Sequence, residues 1–326
     1  MALNIPQASE QAVAGSVPRP GTEVEGAAKK IEGRSPWRLA TQRLLHDKAS
    51  MISLGVIGFI VLVAIFAPAV AAITGHGPNQ QHYAPIGLNA SGQPLGPSRH
   101  FLLGTDTLGR DIMVRIAYGA RISLLVGVLA AVISVATGAI VGLAAGYFGG
   151  LTDTLLARLM DWLLAIPFLL LAISLVTVIG PGLVVLLIVI GFLGWASVGR
   201  IIRGQVLSIR EKEYIEAARS LGAGPWRIMF IDILPNVIAP IIVYTSLLIP
   251  VSIVSEASLS FLGVGIPPPT PDWGSMIADS QTVFEYGAWW YLVFPSLALL
   301  ITTLAFNIFG DGVRDAFDPR GGQLFV

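Results

Sequence analysis

The chain has 326 residues, 54% of them apolar and only 12% charged, with a mean hydropathy of +0.74; soluble domains carry about 25% charged residues, so a water-soluble fold is excluded. The absence of cysteine removes disulfide scaffolds, thiolate zinc sites, iron–sulfur clusters and cysteine nucleophiles together. A balance of 20 basic against 20 acidic residues gives no support to nucleic-acid binding.

Residues 1–34 are rich in Gly, Ala, Pro and Glu and lack an apolar stretch of signal-peptide length, so they read as a disordered cytoplasmic tail. Ser35-Pro36 has the chemistry of an N-cap followed by a first-turn proline, and opens a predicted amphipathic helix over residues 35–50. Trp37, Leu44 and Leu45 alternate there with Arg38, Arg43 and Lys48. Such a helix lies on the inner membrane surface, or its charges are simply the positive flank of the first crossing.

A hydrocarbon core of about 30 Å needs about 20 residues at 1.5 Å each, which makes the long uncharged runs the crossings. The first is 51–73. After it comes an external loop, 74–121, whose His76, His82 and His100 lack regular spacing and read as solvated surface residues and not metal ligands. The second crossing is 122–148, where Gly138, Gly142 and Gly146 form a strip for close helix packing. Residues 162–199 are too long for one crossing; Gly180-Pro181-Gly182 has the chemistry to reverse the chain and divides them into two. Near the start of the third, Asp161 has Arg158 three residues back as its expected ion-pair partner.

Residues 200–235 form a long loop on the side of the termini. Within 211–221, Tyr214, Ile215, Ala218 and Leu221 recur at helical spacing; Gly222 and Gly224 then stop the helix and Pro225 can start another. A helix–turn–helix outside the membrane is predicted. Ala217, Ala218 and Gly222 are small enough to admit a partner surface, and Glu216 offers it a charge. The fifth crossing, 236–262, contains one acid, Glu256, a functional candidate by default. Near the outer interface it can be hydrated or paired, which favours a structural or gate-lining role. The proline-rich external loop 266–273 is stiff, 288–310 is the sixth crossing, and 321–326 form a C-terminal tail.

Six crossings put both termini on one side. That side holds all Lys and Arg except Arg99, Arg110, Arg115 and Arg121, so it is read as cytoplasmic, although the last three sit close to the second crossing. The paired acids, metal pair or G-x-S-x-G elbow of a membrane-embedded enzyme do not occur in this sequence. Nor does a G-x-x-x-x-G-K-[ST] phosphate loop, so any ATP-driven process takes its energy from a separate subunit.

Glu216-Ala217-Ala218, three residues, Gly222, and then Leu234-Pro235 resemble the EAA loop of bacterial ABC importer permeases, with a departure at Asp232, where the general pattern is apolar. The stretches 104–111, 145–150, 258–263, 268–274 and 306–315 are similar to the dipeptide/oligopeptide/nickel permease family, in its C-type branch. The likeness runs from about Trp37 to Arg320. It implies an all-α, type I (MetI-like) permease fold over 51–320 in the bacterial cytoplasmic membrane. It also implies a second, B-type permease, two cytoplasmic ATPases binding ATP and Mg, an extracytoplasmic binding protein, and no cofactor in this chain. The EAA residues become the ATPase-coupling surface, and Pro269, Asp272 and Trp273 a contact for the binding protein. Di- and oligopeptides are the implied cargo; nickel, glutathione or another small solute stay open, as does a stand-alone ion- or proton-coupled carrier.

Overall fold

A computed structural model describes residues 36–318, so the expected tails 1–34 and 321–326 lie outside the described residues. Regular structure among the described residues is helical, apart from two isolated bridges in the loop before α4. Five helices are long and apolar enough to cross a membrane, and six spans result when one bent pair is counted as a single span.

The chain opens with α1 (Pro36–His46) and α2 (Lys48–Ile65). Asp47 separates them because its carboxylate caps α2, accepting from the backbone N–H groups of Ala49 and Ser50. The expected single helix over 35–50 is therefore two. Trp37 of α1 meets Phe317 edge-on at 5.4 Å and Arg43 donates to the Asp318 carbonyl at 2.9 Å, which fixes the chain's first and last described helices on one side. The first crossing is also interrupted: α2 ends at Phe66, and Pro68 starts α3 (Ala67–Thr74).

Helix α4 (Ile112–Phe148) is 37 residues long, about 55 Å. It begins ten residues before the expected second crossing, so the loop ends at Asp111, whose carboxylate caps the helix by accepting from Met113 N–H at 2.9 Å. Arg115 and Arg121 therefore belong to the helix and not to the loop. The expected third crossing is α5 (Gly150–Ala165) and α6 (Phe168–Ile179), meeting at 91° where Pro167 can continue no helix. At 12 residues, about 18 Å, α6 is too short to span alone. Gly180-Pro181-Gly182 does turn the chain, into α7 (Leu183–Arg210), which runs on through the start of the expected loop.

Helices α4 and α7 run parallel and unusually close. Built onto Gly138, Gly142 and Gly146, a Cβ would stand 2.7 Å from Val198 Cβ, the Gly199 carbonyl oxygen and Val206 Cβ respectively. The strip of small residues exists because α7 occupies the space that side chains would fill. Arg210, the last residue of α7, donates to the Gly146 carbonyl at 3.1 Å at the end of α4. Asp161 does not take Arg158: it pairs with Arg200, while Asp153 pairs with Arg203, so both acids tie α5 to α7.

The remaining elements are α8 (Glu213–Ser220), α9 (Pro225–Arg227), a π-helical turn (Ile228–Ile233), α10 (Leu234–Phe261), α11 (Trp273–Phe284) and α12 (Trp289–Phe317). The proline-rich loop gives way to α11, a helix absent from the sequence reading, capped by the Asp272 carboxylate accepting from Ser275 N–H at 2.8 Å. We expect Gly142→Leu to disrupt α4–α7 packing by at least about 1–3 kcal/mol, seen as loss of monodisperse protein in detergent. A Gly142→Leu protein as stable as the parent would refute this packing.

Candidate functional site

Two regions qualify, one at each end of α10. On the α1 side, α8 and the π-helical turn are held to the bundle by Ile215, Ile228 and Ile233, all fully buried with Val206, Ile209 and Val237. Gly222 closes α8 at φ +83°, a conformation that favours glycine, and the Ala223 N–H donates back to the Ala218 carbonyl at 3.0 Å. No other atom lies within 4 Å of the position a Gly222 Cβ would take, so the turn is open. A notch of about 200 Å³ is lined by Ala218, Leu221, Gly222, Ala223, Arg227 and Asp232.

Around that notch large apolar side chains are exposed, at the end of α8 and at the start of the span Pro225–Phe261. Leu221 is 89% exposed although Ile215, at helical spacing from it, is buried, and Trp226 is 70% exposed while stacking on Phe230 at 5.7 Å. Tyr214 is likewise exposed, its hydroxyl accepting from the Asn236 amide at 3.2 Å. Of the residues singled out in sequence, Glu216, Ala217, Gly222 and Pro235 are exposed and Ala218 half-buried, whereas Leu234 packs into the core beside Ala223. Asp232, where the sequence departs from the general pattern, lines the notch. Trp226 and Phe230 escaped the sequence reading; their signal was aromatic residues just past a Gly/Pro turn, outside any crossing.

At the other end of α10, Glu256 is fully buried. It accepts from Ser123 of α4 at 2.9 Å and from Ser260 at 3.1 Å. It lines none of the cavities described, and its geometry is that of a strut between α4 and α10. Asp272 and Trp273 are also fully buried, which corrects their assignment to an exposed contact; Pro269 alone of the three is exposed. Burial pushes the Asp272 carboxyl above its ordinary range, opposed by the hydrogen bonds from Ser275. Trp273 donates to the Ile116 carbonyl at 3.1 Å, and a Cβ on Gly274 would stand 2.8 Å from Ala257 Cα. The segment 272–274 is thus wedged between α4 and α10.

Beside it lies a buried ionic cluster that the sequence reading left as loop charges. Asp106 pairs with Arg110 at 2.6 Å and with Arg115 at 3.3 Å. Of the three histidines only His100 is exposed: His76 bonds Asp111 at 2.8 Å, and His76, His82 and Phe101 pack ring on ring. Burial, and then the neighbouring His76, hold the His82 imidazole below its ordinary value. Among the described residues no group of three His, Asp or Glu side chains is placed to hold a metal ion.

The fold defines a multi-pass helical membrane protein. Residues 136–322, more than half of the chain, match the family described as binding-protein-dependent transport system inner membrane component, and residues 35–90 match the N-terminal transmembrane domain of oligopeptide transport permease C. The chain is 41% identical over 286 residues to the di/tripeptide transport system permease protein of Pseudomonas aeruginosa, covering 88% of this chain and 93% of that one. It is 42% identical over 286 residues to the dipeptide transport system permease protein of Alkalihalophilus pseudofirmus, covering 88% and 90%. With the oligopeptide transport system permease protein of Escherichia coli it shares 41% over 291 residues, covering 89% and 93%. The chain belongs to the binding-protein-dependent, ABC-importer permease family.

If Glu256 is a hydrogen-bonded strut, Glu256→Gln keeps an acceptor for one serine and leaves thermal stability in detergent nearly unchanged. Glu256→Leu strands Ser123 and Ser260 and lowers stability by about 1–3 kcal/mol. Equal losses for the two variants would show that hydrogen bonding is not what Glu256 contributes.

Proposed function

We propose that this chain is one of two different membrane subunits of an ATP-driven importer of di- and oligopeptides, with both termini in the cytoplasm. It works with a B-type permease, two ATPases and an external binding protein. The observation that carries the reading is the exposed, mostly uncharged face formed by Ala217, Leu221, Gly222 and Trp226, where α8 gives way to the span Pro225–Phe261. Leaving so much apolar surface in water is unfavourable unless a partner covers it. Relatives of about 40% identity carry peptide transport in their names.

Orientation is supported by charge. Of the four far-side arginines, Arg110 and Arg115 are neutralised by Asp106 within the fold and Arg121 lies over the Tyr118 ring at 5.7 Å. Two of the four exceptions to the positive-inside bias, Arg110 and Arg115, are therefore internal structural groups, while Arg99 and Arg121 are exposed. Residues 35–50 then sit at the inner membrane surface, and residues 211–225 face the ATPases.

Coupling follows from connectivity. A push on α8 is transmitted through Ile215 to Ile228 and Ile233, hence to α10, and along α10 to Glu256 and the wedge at 272–274. Closure of the ATPase pair would tilt α10 and exchange inward for outward access. Pro269, exposed beside the wedge, is the remaining candidate of the three for contact with the binding protein.

Gly222→Trp fills the open turn and forces a bulky residue to positive φ, so we expect normal membrane abundance with uptake lost and ATP hydrolysis uncoupled. The strain alone costs about 1–2 kcal/mol, which Gly222→Ala shares, so Gly222→Ala calibrates the backbone contribution. Wild-type uptake by Gly222→Trp at equal abundance would overturn the docking assignment.

A further inference from the structure

The 91° bend between α5 and α6 removes backbone hydrogen bonds at a depth where lipid cannot replace them. Pro167 has no N–H to offer the Leu163 carbonyl, and among the described residues no backbone N–H is donated to the carbonyl of Ile166, which lies between the two helices. The depth follows from α7, which starts at Leu183: the bend faces Ile190 to Ser197, about 10–21 Å along that helix and so near the middle of a core of about 30 Å. Unpaired backbone there is tolerated only inside protein or against water.

What the bend faces is a cavity of about 440 Å³ between α4, α7 and α10. Four hydroxyls line it, from Ser134, Ser197, Ser252 and Ser255, and no charged side chain does. Ser134 donates to the Gly191 carbonyl and Ser255 to the Val251 carbonyl, both at 2.8 Å, which leaves each hydroxyl oxygen with acceptor capacity. Ser197 and Ser252 make no hydrogen bond among the described residues and stay available. The walls between are Leu163, Leu171, Leu193 and Leu248. The cavity is therefore mostly apolar, its polar groups are neutral hydroxyls and the carbonyls at the bend, and it lacks formal charge. That suits a ligand whose constant feature is N–H donors and whose side chains vary, which is the chemistry of a peptide main chain with its terminal ammonium. Charged walls would sort peptides by side chain; carbonyls and hydroxyls do not.

We infer that the α5–α6 bend is this chain's subsite for the main-chain N–H groups and N-terminal ammonium of a peptide in transit, an inference that rests on the peptide-import reading. Ser252 and Ser255 belong to α10, so the helix that carries the coupling segment also forms one wall of the subsite, and its tilt opens or tightens the cavity.

The chain has no cysteine, which makes single-cysteine labelling clean. Ser197→Cys and Ser252→Cys, with Phe59→Cys on the exposed face of α2 as control, are assembled with the partner permease, ATPases and binding protein in vesicles. Each is treated with a water-soluble methanethiosulfonate, with and without trialanine. Ser197→Cys and Ser252→Cys should react far faster than Phe59→Cys and be slowed about tenfold by trialanine at about ten times its Kd. Reaction no faster than the control, or no protection in a complex that takes up trialanine, overturns the subsite. Pro167→Ala provides a second readout: by restoring an N–H it should raise the KM for trialanine with ATP hydrolysis retained, and an unchanged KM overturns the role of the carbonyls. A complex that takes up another solute and no peptide overturns the import reading itself, which is a different result from either.

Discussion

The close approach of α4 and α7 is the contact on which the rest of the bundle depends. In lipid no hydrophobic force draws two apolar helices together, so association must come from dispersion at short range and from the few polar groups available. Gly138, Gly142 and Gly146 allow α7 to lie almost on the α4 backbone, with Val198, Ile202 and Val206 filling the spaces between. The other helices then find their places against this pair: α5 through Asp153–Arg203 and Asp161–Arg200, and α10 through Ser123–Glu256.

Polar chemistry is partitioned along the membrane normal. At the end where α4 begins, charges are buried and consumed internally, with Asp106 serving two arginines and Asp111 both capping α4 and holding His76. At mid-depth only hydroxyls and freed carbonyls remain. At the end where α4 finishes, ion pairs are exposed, and so are the large apolar side chains of Leu221 and Trp226. The result is a gradient along α4, from a charge-locked end where it begins, through an uncharged interior, to exposed ion pairs where it finishes.

Much of this was legible in the sequence because the bilayer imposes a coarse filter. Long uncharged runs marked the crossings, and the Gly222, Gly224 and Pro225 punctuation placed α8 at Glu213–Ser220 against an expected 211–221. Helix limits were legible only where charge coincided with the membrane boundary. The start of α4 was hidden because Arg115 and Arg121 looked like loop charges, while Arg115 has a buried partner nine residues away in sequence, Asp106. Asp161 was matched to a neighbour on its own helix, since spacing along one helix says nothing of Arg200 on another. The bend at Pro167 carried its own signal, a proline within an uncharged run, but Gly180-Pro181-Gly182 drew the only break. The burial of Glu256, Asp272 and Trp273 is a tertiary fact with no local signature.

The parallel run of α4 and α7 has an electrostatic consequence. Each helix carries a partial negative charge of about half an electron at its carbonyl end, and parallel packing sets two such ends side by side, where an antiparallel pair would cancel. The guanidinium of Arg210 sits at that junction, closing α7 while donating to the Gly146 carbonyl and, at 3.4 Å, to that of Tyr147. At the opposite pole Asp111 supplies the counter-anion to α4. The parallel seam thus places a cation where its two carbonyl ends meet, while Asp111 answers the amino end of α4 alone.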